Sequence, residues 1–179
     1  MNQKQRERNI AVLEWFDAIV FSLTLVLVIL VFVVRTVRVD GTSMVPTLQD
    51  GDQLLARSIL YTPQRGDIVV VDGYIQYGEP IVKRVIGLGG DEININFETG
   101  EVFVNGQLLQ EPYISAPTTR AFDVEFPLIV PEGKVFLMGD NRPASKDSRH
   151  SDIGFIDERD ILGKVFVRIL PVTSFGEVA

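Results

Sequence analysis

The chain has 179 residues, 46% of them hydrophobic and 23% charged, with a formal net charge of −7. That length accommodates one membrane segment and one compact domain, and the acidic balance argues against nucleic acid as a partner, since phosphate binding needs a basic face. With no cysteine and a single histidine, His150, disulfides, thiolate metal sites and multi-histidine centres are excluded.

Residues 1–14 are polar and mixed in charge, a short solvated tail. Residues 15–34 form a run of twenty whose only charge is Asp17, and about 20 apolar residues match the hydrocarbon core of a bilayer. A transmembrane helix is expected there, with the lipid bilayer as a partner. A cleaved secretory signal is the rival reading, but its apolar part usually runs only about 7–15 residues, and the following Arg35-Thr36-Val37-Arg38 lacks a small-x-small site. Lys4, Arg6 and Arg8 before the run, against Arg35 and Arg38 after it, bias the N-terminus weakly toward the cytoplasm.

From Val37 onward, short apolar runs are punctuated by Gly, Pro and Asp, a strand pattern. Strands are expected at 53–60, 68–72, 80–88, 92–97, 101–104, 107–110, 134–138 and 164–170. Asn105-Gly106 reads as a two-residue hairpin turn. Residues 111–133 read as a long irregular or hairpin excursion, and 157–161 as one short helical turn. Residues 35–179 are therefore expected to form a mainly β domain of antiparallel sheets around one core.

Three stretches carry candidate chemistry. In Gly41-Thr42-Ser43-Met44-Val45-Pro46-Thr47-Leu48, a glycine and a proline constrain the backbone around one hydroxyl. The segment reads either as a plain surface turn or as a mounted nucleophile, and a serine nucleophile needs a base. His150 is one candidate, although it sits in a polar run that nothing ties to Ser43. Lysine is the other partner that Ser-based triad variants use.

Lys83 lies in Ile81-Val82-Lys83-Arg84-Val85-Ile86, an apolar strand with two adjacent cations. Side chains alternate across a strand, so if one face is buried, one of the two cations is drawn inward. Burial lowers a lysine pKa, leaving a neutral amine, whereas arginine stays charged. On the strand pattern alone Lys83 is either a snorkelling edge residue or such a base. The third stretch, residues 139–149, packs Asp140, Asn141, Arg142, Ser145, Lys146, Asp147, Ser148 and Arg149 into one loop. It reads as a solvated charge cluster or as a loop that orients a base. Calcium on Asp140, Asn141, Asp147 and Asp152 is a further alternative, without the EF-hand spacing of oxygen ligands.

Together these stretches resemble the type I signal peptidases, in their single-span Gram-positive and cyanobacterial form. Gly41-x-Ser43-Met44-x-Pro46 resembles the family's nucleophile box and Lys83-Arg84-Val85-Ile86-Gly87 its general-base box. Gly139-Asp140-Asn141-Arg142 with Ser145-x-Asp147-Ser148-Arg149 resembles the last box, and Arg65-Gly66-Asp67-Ile68-Val69 an intervening strand. The resemblance runs in order from the apolar run to about residue 156.

It implies a membrane-bound serine endopeptidase that removes signal peptides from exported preproteins, with small residues at positions −1 and −3 and no cofactor or metal. Ser43 would attack, Lys83 would take its proton, Ser145 would position the lysine amine, Asp147 and Arg149 would stabilise the loop, and Met44 would line a shallow substrate pocket. The domain would lie outside the cell membrane. An oxyanion hole would use the Ser43 N–H. Some relatives carry a serine two residues before the nucleophile, where this chain has Gly41, so a side-chain donor comes from elsewhere, with Thr42 the neighbouring hydroxyl, or is missing. Two other classes compete. A lipid-facing scaffold would keep its function in Ser43→Ala, and a self-cleaving Ser/Lys protein of the LexA type would carry a soluble DNA-binding segment in place of the apolar run.

Overall fold

The computed structural model describes residues 3–59, 61–72 and 79–178, and no side chains at 3–5, 7, 8, 10, 11 and 29–32. Helix α1 spans Gln3–Val33, so the expected polar tail is helical too. Its Gln, Arg, Glu and Ala residues have high helix propensity and no proline or glycine interrupts them. The helix ends one residue before expected, because Val34 already begins β1. Side chains 12–28 are all exposed. Among the described residues no helix is long and apolar enough to cross a membrane.

The rest is β structure. After β1 (Val34–Arg38) come β2 (Gln53–Arg57), β3 (Ile68–Val71), β4 (Ile81–Leu88), β5 (Glu92–Asn96), β6 (Glu101–Val104) and β7 (Gln107–Leu108). Then follow β8 (Leu128–Ile129), β9 (Lys134–Met138), β10 (Ile156–Asp157), β11 (Ile161–Leu170) and β12 (Gly176–Glu177). One sheet has the order β1-β2-β11-β3-β4-β9-β10, with β12 added to β11, and a smaller one the order β7-β6-β5-β8. Every pairing is antiparallel.

Each expected strand from 53 to 170 has a counterpart, while β1, β8, β10 and β12 were not anticipated. Three of those four have two residues each, too short to show a period of two. β1 was hidden inside and just after the apolar run. The strand expected over 53–60 stops at Arg57, and Leu60 lies outside the described residues, as do Met1, Asn2 and Ala179 at the ends of the expected segments. Asn105 and Gly106 both have positive φ, as their hairpin turn requires. A 3₁₀ turn at Glu158–Asp160, capped by the Asp157 carboxylate accepting from the Arg159 N–H, falls where a helical turn was expected.

Strand β4 decides the site. It lies between β3 and β9 and is buried along nearly its whole length. Both of its faces are covered: Val82 packs with Val39, Met44, Leu48 and Val70 in one apolar cluster, whereas Val85 packs with Val69, Val71 and Leu137 in another. One buried face was expected to draw one of the two cations inward; with both faces covered both turn inward, Lys83 being 5% exposed and Arg84 2%.

Candidate active site

The last β4–β9 pair is Arg84 with Met138, so at Lys83 the neighbouring strand has just ended and the chain has turned away into the loop of residues 139–149. The space this leaves is filled by the turn carrying Ser43. Gly41 opens that turn with φ of 83°, a left-handed conformation that glycine tolerates, and its N–H donates to Asp50 Oδ1 at 2.8 Å. Leu48 N–H, donating to the Met44 carbonyl at 2.9 Å, closes the far side. The loop then grips the turn directly. Asn141 N–H donates to the Ser43 carbonyl at 2.9 Å and Asn141 Nδ2 to the Thr42 carbonyl at 3.0 Å.

Lys83 Nζ donates to Ser43 Oγ at 2.8 Å and to the Val82 carbonyl at 3.1 Å. Burial pushes the Lys83 ammonium down to about 8, against the opposing pull of the Asp147 and Asp140 carboxylates. A buried amine that titrates near 8 supplies a useful fraction of neutral base at neutral to mildly alkaline pH, and it sits within hydrogen-bond reach of a hydroxyl. Among the described residues the Ser43 N–H makes no hydrogen bond, so it is free to donate to an incoming oxygen. The cleft in front of Ser43 and Lys83 is walled by Asp40, Met44, Glu79, Pro80 and Val82. It continues into a groove beside β1 floored by Ala56, Val70 and Leu162. Met44 is only 1% exposed and belongs mainly to the core, so it forms the floor of the cleft.

The loop residues separate into a bonded pair and one hydroxyl without a partner. Asp147 Oδ1 accepts from Arg149 Nε at 2.8 Å, Oδ2 from Arg149 Nη2 at 2.9 Å, and Oδ2 also from the Gly139 N–H at 3.0 Å. Both side chains are fully buried. Arg149 further donates to the carbonyls of Arg120, Arg142 and Ser145, so one guanidinium ties the loop to itself and to residue 120. Ser145 is also buried, but its Oγ has no hydrogen-bond partner, so the expected contact with the Lys83 amine is not formed here. The hydroxyl stays close to the site: a Cβ placed on Gly139 would collide with both Ser145 Oγ and the Ser43 carbonyl. Glycine is required at 139 because loop and turn touch there.

A second buried ion pair was not foreseen. Arg84 Nε and Nη2 donate to the two Asp140 oxygens at 2.9 and 2.8 Å, Arg84 Nη1 to the Gly66 carbonyl at 2.7 Å, and Thr47 Oγ1 to Asp140 Oδ2 at 2.5 Å. This pairing ties the Ser43 turn, β4, the segment before β3 and the loop of residues 139–149 to one carboxylate. The available signal was the unexplained second cation beside Lys83, but pairing it with a residue 56 positions away needed the fold.

The alternatives do not survive this geometry. His150 Nδ1 accepts from the Asp152 N–H at 3.1 Å and its ring lies against Phe122, and Ser43 is not among its partners. The carboxylates considered for calcium are engaged with cations: Asp140 with Arg84, Asp147 with Arg149 and Asp152 with Lys146. Among the described residues no group of three or more His, Asp or Glu side chains is placed to hold a metal ion.

Comparison with known proteins bears on the family of the chain. The family model described as signal peptidase, peptidase S26, matches residues 12–170. A signal peptidase I from Bacillus licheniformis is 39% identical over 171 residues, covering 90% of each chain. A probable signal peptidase I-2 from Synechocystis is 36% identical, covering 92% of this chain and 76% of that one. Signal peptidase IB from Staphylococcus aureus is 33% identical, covering 92% of both. A crystal structure of a signal peptidase I from Enterococcus faecalis, 30% identical, gives a TM-score of 0.48 over 58% of this chain and 97% of that chain. With a family model spanning most of its length and relatives matched nearly end to end, the chain belongs to the signal peptidases of peptidase family S26, a family of serine hydrolases.

Proposed function

We propose that this protein removes N-terminal signal peptides from exported preproteins, cutting after small residues at −1 and −3, with Ser43 as nucleophile and Lys83 as general base. The observation that carries the reading is the 2.8 Å hydrogen bond from a 5% exposed lysine amine to the Ser43 hydroxyl. Neutral Lys83 takes the Ser43 proton as Oγ adds to the scissile carbonyl. The Ser43 N–H receives the developing oxyanion, where a well-placed donor is worth about 3–4 kcal/mol in the transition state. Lys83 ammonium then protonates the departing amine, and the neutral amine regenerated in this step activates the water that hydrolyses the acyl-enzyme. Ser145, whose buried hydroxyl is otherwise unpartnered, orients the amine through this cycle, while Asp147 and Arg149 hold the loop.

The extended substrate lies in the cleft between the Ser43 turn and the start of β4, adding backbone hydrogen bonds in the manner of a supplementary strand. The floor of Met44 and Val82 leaves little depth beneath it, which selects small side chains at the two inward positions.

The chain is held in the cell membrane by α1, whose apolar run in the sequence, residues 15–34, extends past the described side chains, which by themselves are too short a stretch to cross. Residues 1–14 lie in the cytoplasm and the β domain on the outer side. Support comes from the apolar side chains of α1, such as Trp15, Phe16, Ile19, Phe21 and Leu23, which stand 61–73% exposed on a helix with no protein layer around it. A helix apolar all round needs an apolar surrounding. The test is cleavage of a preprotein with an Ala-x-Ala site by the full chain in detergent, alongside Ser43→Ala and Lys83→Ala. Processing by the wild type that vanishes in both folded variants is expected, and persistent cleavage by either variant removes that residue from the mechanism.

A further inference from the structure

Residues 111–123 leave the smaller sheet after β7 and cross the catalytic loop before returning at β8. Along that path they meet each arginine of the site. The Glu111 carboxylate takes both terminal nitrogens of Arg142, one at 3.0 Å and the other closer still. Arg142 Nη1 also donates to Thr118 Oγ1 at 2.5 Å. The Tyr113 ring lies 4.0 Å under the Arg84 guanidinium. The Arg120 carbonyl accepts from Arg149 Nη1 at 3.1 Å, and Arg120 Nη1 donates back to the Pro143 carbonyl at 2.7 Å. Asp123 accepts from both the N–H and the hydroxyl of Ser151.

The other side of each arginine faces the reacting pair. Arg84 holds Asp140, Arg149 holds Asp147, and Arg142 Nε donates at 3.2 Å to the carbonyl of Gly139, the residue in contact with Ser43 and Ser145. Three guanidiniums thus stand between the strap and the site, each with a partner on both sides. Glu111 is 6% exposed and Arg142 1%, so this ion pair is desolvated and its geometry is well defined.

We propose that Glu111 and Tyr113 are positioning residues, which act through Arg142 and Arg84 to hold the loop of residues 139–149 in register with Ser43 and Lys83. The inference rests on the Ser/Lys reading above. Neither residue walls the cleft, so they affect turnover and leave substrate binding alone. A displacement of about 1 Å at reacting atoms costs on the order of 100-fold in rate, and the strap is set to prevent displacements of that size.

The experiment measures kcat and KM separately on an Ala-x-Ala preprotein with the full chain in detergent. Wild type, Tyr113→Leu, Tyr113→Phe and Glu111→Gln are compared, with Ser43→Ala as the inactive reference. Tyr113→Leu and Glu111→Gln are expected to lower kcat by about tenfold or more with KM within about twofold, the loss that loop misplacement of a fraction of an ångström brings. Tyr113→Phe, which keeps the ring against Arg84, is expected to retain at least about half the wild-type kcat. Tyr113 is only half-buried and Gln is isosteric with Glu, so neither change adds bulk; because Glu111→Gln leaves Arg142 without its counter-charge, a circular dichroism melt selects conditions under which each variant is folded. The proposal is overturned if folded Tyr113→Leu and Glu111→Gln keep wild-type kcat, if the loss appears in KM alone, or if Tyr113→Phe is as impaired as Tyr113→Leu. An inactive wild type would instead overturn the Ser/Lys reading, so the two failures are distinguishable.

Discussion

Replacing Lys83 with methionine tests the electrostatics of the site separately from its catalysis. Methionine keeps the unbranched length and removes the charge. In the folded protein burial pushes the Lys83 ammonium from an ordinary 10.5 down to about 8. At about 1.4 kcal/mol per unit of pKa, that fall corresponds to roughly 3 kcal/mol by which the fold disfavours the charged amine. The sign follows from proton linkage. Between pH 8 and 10.5 the unfolded chain binds the proton that the folded chain has lost, so wild-type stability rises with pH across that window. Below pH 8 both states are protonated and the full cost is present; above 10.5 both are neutral and it is gone.

Lys83→Met should therefore abolish cleavage and yet stabilise the fold at pH 7 by about 3 kcal/mol. Its advantage over wild type should shrink steadily from pH 8 to 10.5. The assay is denaturant unfolding of full-length protein in detergent at pH 7, 8, 9 and 10. A variant less stable than wild type at pH 7, or a stability difference that does not change with pH, would refute the account of Lys83 as a buried, destabilised base.

Two other substitutions probe the contact between the loop of residues 139–149 and the Ser43 turn. Ser145→Ala deletes a buried hydroxyl that satisfies no hydrogen bond, so unfolding measurements should find stability unchanged or raised by about 1 kcal/mol. The kcat should nevertheless fall at least about tenfold, the scale of a lost proton-transfer partner; full activity would remove Ser145 from the mechanism. Gly139→Ala drives a Cβ into the Ser43 carbonyl and the Ser145 hydroxyl, and is expected to cost about 1–3 kcal/mol of stability, as overpacking does. It should abolish most activity, and a melt together with a cleavage assay checks both outcomes.

The strand pattern and the hairpin turn were legible because they rest on local physics. Alternation in Glu92–Asn96, buried at every second residue, reads directly as a half-covered strand. The Asn105-Gly106 turn depends only on the φ values those two residues accept. The resemblance named Ser43, Lys83, Ser145, Asp147, Arg149 and Met44 as candidates, because motif order is a property of the linear chain; whether Ser145 reaches Lys83 is not. What could not be read is why two neighbouring cations on β4 both turn inward. That depends on sheet order, which encloses β4 between β3 and β9 and ends β9 at the level of Lys83.

The sequence by itself thus determined an acidic, mainly β domain behind an apolar run, and a short list of candidate residues for acyl transfer. Tertiary structure alone decided which of them meet. It placed Lys83 Nζ against Ser43 Oγ across 40 residues of chain, Arg84 against Asp140 across 56, and Arg142 against Glu111 across 31. It also left the Ser145 hydroxyl without a partner, which no spacing in the chain foreshadows. The physical reason is that propensity and alternation act over a few residues, whereas the pKa of a lysine and the pairing of a buried arginine are set by whatever the packed core brings within about 4 Å.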